Sequence, residues 1–137
     1  MSRSTYEQPL PASRVAEAAA GYRRDGSPVP GKRHVYPEMA AAGLWTTAGD
    51  LARFAIAIQR SLRGDEGSLL PRATAERMVT PFIGDFGLGF AVQTLGGERY
   101  FSHGGADEGF QAYLVAHRGS WGCRGDGQLG QRRRPRG

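Results

Sequence analysis

Between Tyr100 and Val115 the chain reads YFSHGGADEGFQAYLV, its densest collection of residues able to do chemistry. His103 can donate, accept or carry a proton near neutral pH. Gly104 and Gly105 follow it without a Cβ, so a bound group can come close to the main chain and meet its N–H donors. A polar side chain followed by a bare backbone at a strand end suits a carboxylate or a carbonyl oxygen. Two β-prone runs, Arg99–Ser102 and Phe110–Val115, flank the segment, so a plain hairpin with a glycine-rich connection accounts for the same residues. His103, Asp107 and Glu108 raise the question of a metal. One imidazole, no second histidine and spacing set by a loop make a poor ligand set, and no metal is expected.

The elements that would position this segment are legible around it. Thr47–Arg63 has the strongest helical pattern. Thr47 can cap the N-terminus, with Asp50 as a short capping-box partner at the positive end of the dipole. Leu51, Phe54, Ala55, Ile58 and Leu62 fall on one stripe, and Gly64 can end the helix. Burying each large member of that stripe contributes roughly 1.5–3 kcal/mol before entropy. A second helix is expected over about Pro71–Val79, with proline in its first turn and Pro81 beyond its end. Then the period changes: Phe86, Leu88 and Phe90 alternate with Gly87, Gly89 and Ala91, predicting a strand with one bulky and one bare face. Gly96-Gly97 makes a turn, Arg99–Ser102 returns, and Gly109–His117 gives a third strand. Upstream, Ser13–Ala20 has a short helical pattern stopped by Gly21. Asp25-Gly26 offers a hairpin tip between Gly21-Tyr22-Arg23 and Pro28-Val29, and His34-Val35-Tyr36 is extended ahead of Pro37. His34 reads as a packing or surface residue, and His117 is given no role.

Three runs carry a resemblance: Ala41-Ala42-Gly43-Leu44-Trp45-Thr46-Thr47-Ala48-Gly49-Asp50-Leu51-Ala52-Arg53-Phe54, then Asp85-Phe86-Gly87-Leu88-Gly89-Phe90, then His103-Gly104-Gly105-Ala106-Asp107-Glu108-Gly109-Phe110. In that order and at those spacings the chain resembles the C-terminal half of the serine β-lactamase-like hydrolases. That family groups class C β-lactamases, penicillin-binding D-alanyl-D-alanine peptidases and related esterases. The resemblance runs over residues 1–119 and implies an α/β fold of the α+β type, an antiparallel sheet with flanking helices. It places His103-Gly104-Gly105 where the family carries Lys-Thr-Gly or a variant such as His-x-Gly, on a strand edging the active site. By that resemblance His103 is the catalytic donor, Gly104 and Gly105 border the substrate, and the Ala106 N–H forms half of an oxyanion hole. The implied partner is a small acyl substrate, an ester, β-lactam or peptide, with no cofactor.

The family's nucleophile motif is missing. A Ser-x-x-Lys helix lets lysine help deprotonate the serine, and a Tyr-x-Asn or similar element relays the proton. Lys32 is the only lysine, Val29 stands three residues before it, and the chain has no asparagine. The expectation is a fragment that starts after the nucleophile and is inactive alone, with the missing N-terminal half as a possible partner. The alternative is a noncatalytic ligand-binding or interaction module using the His103–Gly109 segment or the basic tail.

Composition sets further bounds. The 137 residues allow one domain, but 21 glycines and 8 prolines are thin material for its core. Cys123 alone allows no internal disulfide and no metal-binding spacing. No apolar run is long enough to span a membrane, and no secretory signal opens the chain, so a cytoplasmic location is the default expectation, with an exported parent left open. The net charge is +5, and six arginines from Arg118 onward against Asp126 account for all of it. A basic tail on a neutral body, with Trp121 as its one aromatic, gives no expectation of specific nucleic-acid binding. Ser120–Gly137 has no apolar period and reads as a disordered arginine-rich tail. A permitted codon choice for Trp121–Arg136, read one base later, encodes an apolar strand, a turn and a helix start. A frameshift is therefore one origin for the tail.

Overall fold

The computed structural model describes residues 1–119 and 123–126. In chain order it has a 3-10 helix at Ala12–Glu17, then α1 (Met39–Ala42), α2 (Ala48–Arg63) and α3 (Arg72–Met78). The strands are β1 (Ala91–Leu95), β2 (Glu98–Asp107), β3 (Phe110–His117) and β4 (Cys123–Asp126). They form one antiparallel sheet in the order β1-β2-β3-β4. An antiparallel sheet with helices on it is the architecture expected from the sequence.

Helix α2 forms as its sequence dictates. The Thr47 hydroxyl accepts from the Asp50 N–H at 3.2 Å, and Gly64 closes the helix in the left-handed region at φ 76°. The expected reciprocal bond from Asp50 back to Thr47 is replaced. The fully buried Asp50 carboxylate accepts from the Arg3 N–H at 2.9 Å, the Ser4 hydroxyl at 2.8 Å and Arg53 at 2.7 Å. Three donors, one of them charged, outcompete a single N–H, and they fasten the N-terminal segment to the start of α2. A bridge between Thr5 and Trp45 extends the same seam.

The core lies between the helices and one sheet face. Ala55, Ile58 and Leu62 of α2 meet Ala75 and Val79 at α3, and Phe90, Phe101, Leu114 and Ala116 from the sheet side. Leu51 and Phe54 pack at the margin of this cluster. The period-2 pattern explains the sheet's share, since Phe101 pairs with Ala116 and Val92 with Phe101, side by side on the same face.

Three expectations are corrected. The strand expected over Phe86–Ala91 begins only at Ala91 and runs to Leu95. Residues 82–90 instead fold into turns, with Phe82 and Ile83 N–H groups both donating to the Phe86 carbonyl. Gly87 has the reason: a Cβ there would lie 2.2 Å from the Met78 carbonyl oxygen, so the loop is pressed against the end of α3. Second, the glycine-rich segment is no connection. Strand β2 runs straight through His103-Gly104-Gly105-Ala106-Asp107, and only Glu108-Gly109 turns. Pairing with β3 along its whole length outweighs the poor strand propensity of two glycines. Third, Cys123–Asp126, expected within a disordered tail, pairs antiparallel with Tyr113–Ala116. An unpaired strand edge accepts any backbone able to extend, with little demand on its sequence. The rest of the tail lies outside the described residues. Among the described residues, no helix is long and apolar enough to cross a membrane.

Candidate active site

The candidate residues sit where β2 outruns its neighbour. Strand β1 begins at Ala91, opposite Ser102, and among the described residues no strand pairs with β2 on that side beyond this point. The direction of the main-chain groups follows from one bond. Arg118 donates its N–H to the Arg99 carbonyl at 2.8 Å, so Arg99 faces β3. Groups in an antiparallel ladder alternate, so residues 101, 103, 105 and 107 also face β3 while 102, 104 and 106 face the β1 side. The N–H and C=O groups of Gly104 and Ala106 therefore point toward the uncovered edge. Gly105 is committed to the β3 ladder.

The side chains divide by the same alternation. His103 lies on the helix-bearing face, paired across from Leu114, and stands edge-on to Phe90 with ring centroids 6.5 Å apart. Its Nδ1 is 2.7 Å from the Gly89 carbonyl. A carbonyl only accepts, so Nδ1 carries the proton and Nε2 is left as the lone-pair nitrogen of the neutral ring. The ring stays exposed, so it is positioned yet reachable. On the opposite face Tyr113 covers Gly104, where an added Cβ would meet the ring at 3.2 Å. An added Cβ at Gly105 meets nothing within 4 Å. Ser102, the serine next in sequence to His103, is 3% exposed and so is not presented to solvent.

The turn beyond the edge is anchored by residues far away in sequence. Glu108 accepts from Arg23 at 2.7 Å and is paired with His34 Nε2, and its N–H donates to the Tyr36 hydroxyl at 3.3 Å. The Arg23 hydrogen bond, then that of His34, holds the Glu108 carboxyl below its ordinary range. Burial pushes the neighbouring Asp107 carboxyl up. His103, Asp107 and Glu108 are thus divided among separate tasks, and among the described residues no group of three His, Cys, Asp or Glu is placed to hold a metal ion.

Sequence reasoning named His103, Gly104, Gly105 and Ala106 as candidates, and the structure places all four in the last part of β2. It missed Gly89 and Phe90 as the seat of the His103 ring, and it missed the Arg23–His34–Tyr36 clamp on Glu108. The first had a signal in the Gly-x-Gly spacing before Phe90. The second joins residues 85 and 74 positions apart and leaves no local trace. His117, given no role, pairs through Nε2 with Glu98 at 2.9 Å. The site can thus offer main-chain donors to an anionic or carbonyl oxygen, joined by the imidazole when Nε2 is protonated. A family model described as Beta-lactamase matches residues 1–120. Comparison with curated proteins and comparison with solved structures each give no match.

Proposed function

The chain belongs to the Beta-lactamase family, and on that premise we propose that the uncovered end of β2 forms one wall of a serine-hydrolase site. The substrate class is an ester, β-lactam or peptide carbonyl, processed through an acyl-enzyme. In this reading the Ala106 N–H is one half of the oxyanion hole, Gly104 and Gly105 border the acyl group, and His103 is the catalytic donor in its imidazolium form, where Nε2 as well as Nδ1 carries a proton and can hold and protonate the substrate. The observation that carries it is the pairing pattern: Ser102 is the last β2 residue covered by β1, leaving the Gly104 and Ala106 amides beside a positioned imidazole.

The 137 residues contain no Ser-x-x-Lys. The attacking serine and its lysine then come from polypeptide outside these residues, and its own amide supplies the other half of the hole. These residues alone bind the carbonyl group without opening it.

The test is amide and imidazole NMR of the chain titrated with a chromogenic cephalosporin, an aryl ester and an acyl-D-alanyl-D-alanine, with mass spectrometry on the same samples. Shifts should concentrate at His103, Gly104 and Ala106, with no burst of product and no adduct. A stoichiometric acyl or fluorophosphonate adduct on any serine of this chain would overturn the assignment, as would ligand shifts that spare Ala106. Shifts at this edge only with ligands lacking an acyl group would favour a noncatalytic binding module.

A further inference from the structure

A second site lies at the opposite end of β2. The two ends are separated by seven residues from Arg99 to Ala106, about 23 Å at a strand rise of ~3.3 Å per residue. There the β1–β2 turn, the end of β3 and the helix pair α2–α3 border an open, shallow cleft of about 420 Å³. Clefts of ~300–1,000 Å³ hold small-molecule ligands. Four guanidinium groups line it, those of Arg63, Arg72, Arg99 and Arg118, against two carboxylates, Glu76 and Glu98. Asp65, bound to Arg63, offsets a further charge, so the formal excess is one.

The local pairing shows which cations are available. Arg72 is bound to Glu76 at 2.9 Å and Arg63 to Asp65 at 2.6 Å. Glu98 is taken by His117 Nε2, whose ring is fixed because its Nδ1 accepts the Gly119 N–H at 3.0 Å. Among the described residues, neither the Arg99 nor the Arg118 side chain is in an ion pair. These two are held opposite each other by the bond from the Arg118 N–H to the Arg99 carbonyl. By alternation their side chains share the sheet face of Phe101 and Ala116, the face on which α2 and α3 pack. The negative end of α2 does not oppose an anion here, because the Gly64 and Asp65 N–H groups cap the Ser61 and Arg60 carbonyls.

We propose that this cleft binds a phosphate monoester dianion carried on a small molecule, with Arg99 and Arg118 as the primary contacts and Leu62 beneath the organic portion. Guanidinium groups match phosphate oxygens in paired geometry, and a monoester carries about −1.5 to −2 charges at neutral pH, which the two guanidinium groups outside ion pairs oppose. The site is independent of the proposed acyl site, so either can fail alone.

Calorimetric titration of the full chain with phenyl phosphate, inorganic phosphate and a short single-stranded oligonucleotide at physiological salt tests it. Phenyl phosphate should bind saturably at one site, more tightly than inorganic phosphate. Arg99→Ala and Arg118→Ala should each weaken it roughly tenfold or more. Arg99→Lys keeps the charge and should recover part of the loss. The combined replacement of Arg132, Arg133 and Arg134 by glutamine should leave it unaltered. Unchanged affinity in folded Arg99→Ala protein would overturn the proposal. So would affinity that vanishes with the tail arginines, or that favours the oligonucleotide, since either makes the tail the anion binder.

Discussion

His103 and Ala106 use different parts of one strand, and point changes can separate them. Proline at an uncovered strand position removes an N–H that no ladder needs, whereas proline at a ladder position breaks a bond. Ala106→Pro should therefore leave the fold nearly intact and abolish ligand shifts at the proposed oxyanion donor. Gly105→Pro, one residue earlier, should cost about 3 kcal/mol or more, because its N–H belongs to the β3 ladder. Denaturant unfolding of the two variants checks the difference, and equal losses would refute the alternation. Asp50 supports a pH prediction. The Ser4 hydroxyl bond, with the Arg3 N–H and Arg53, holds its carboxyl below the ordinary range. A depressed folded pKa stabilises above the unfolded value of ~3.9, and that contribution is lost as pH falls through the lower folded value. Asp50→Asn should lower the thermal midpoint at neutral pH, and the gap to the parent should narrow as pH falls below the unfolded value of ~3.9.

Elements were legible where a local pattern and the tertiary demand agree. Thr47, the Leu51–Leu62 stripe and Gly64 each act within a turn or two of the chain, and α2 follows from them directly. Thr47→Ala should cost about 1 kcal/mol, read from the urea midpoint. Pro71 sits just ahead of α3, and Gly96-Gly97 joins β1 to β2, as their types require. The Asp85–Phe90 pattern misled because alternating aromatics and glycines suit a strand and equally a loop that needs close backbone approach. Gly87→Ala decides between those uses. Its Cβ would meet the Met78 carbonyl, so it should destabilise by about 1–3 kcal/mol and detach the loop from α3. In a solvated strand the same change would be neutral or better. The length of β2 was hidden because glycine advertises a turn locally, while β3 supplies a full row of partners that only the folded chain reveals.

The whole molecule joins a local meander to a remote clamp. Strands β1, β2 and β3 follow one another through two-residue turns, so their contacts are near in sequence. The N-terminal third is fastened to the start of α2 by Arg3 and Ser4 on Asp50, to the segment before it by Thr5 on Trp45, and to the β2–β3 turn by Tyr22 donating to the Gly109 carbonyl at 3.1 Å. Beside this, the loop before β1 leaves Phe82, Ile83 and Phe86 at 78%, 72% and 62% exposure. Contiguous apolar surface of that kind attracts apolar dyes and neighbouring molecules. Replacing Phe82 and Ile83 by serine should reduce both dye binding and concentration-dependent association, and unchanged binding would locate the apolar surface elsewhere. The remote clamp also imposes a timetable. Closing a chain over 85 residues, as Arg23 and Glu108 require, is slower than closing a two-residue turn. During refolding the amides of β2 and β3 should gain protection first and the Tyr22 amide last, in pulse-labelling hydrogen exchange. For an interval the molecule would then possess its sheet without its clasp, and the strand end bearing His103 would exist before the turn beyond it was held still.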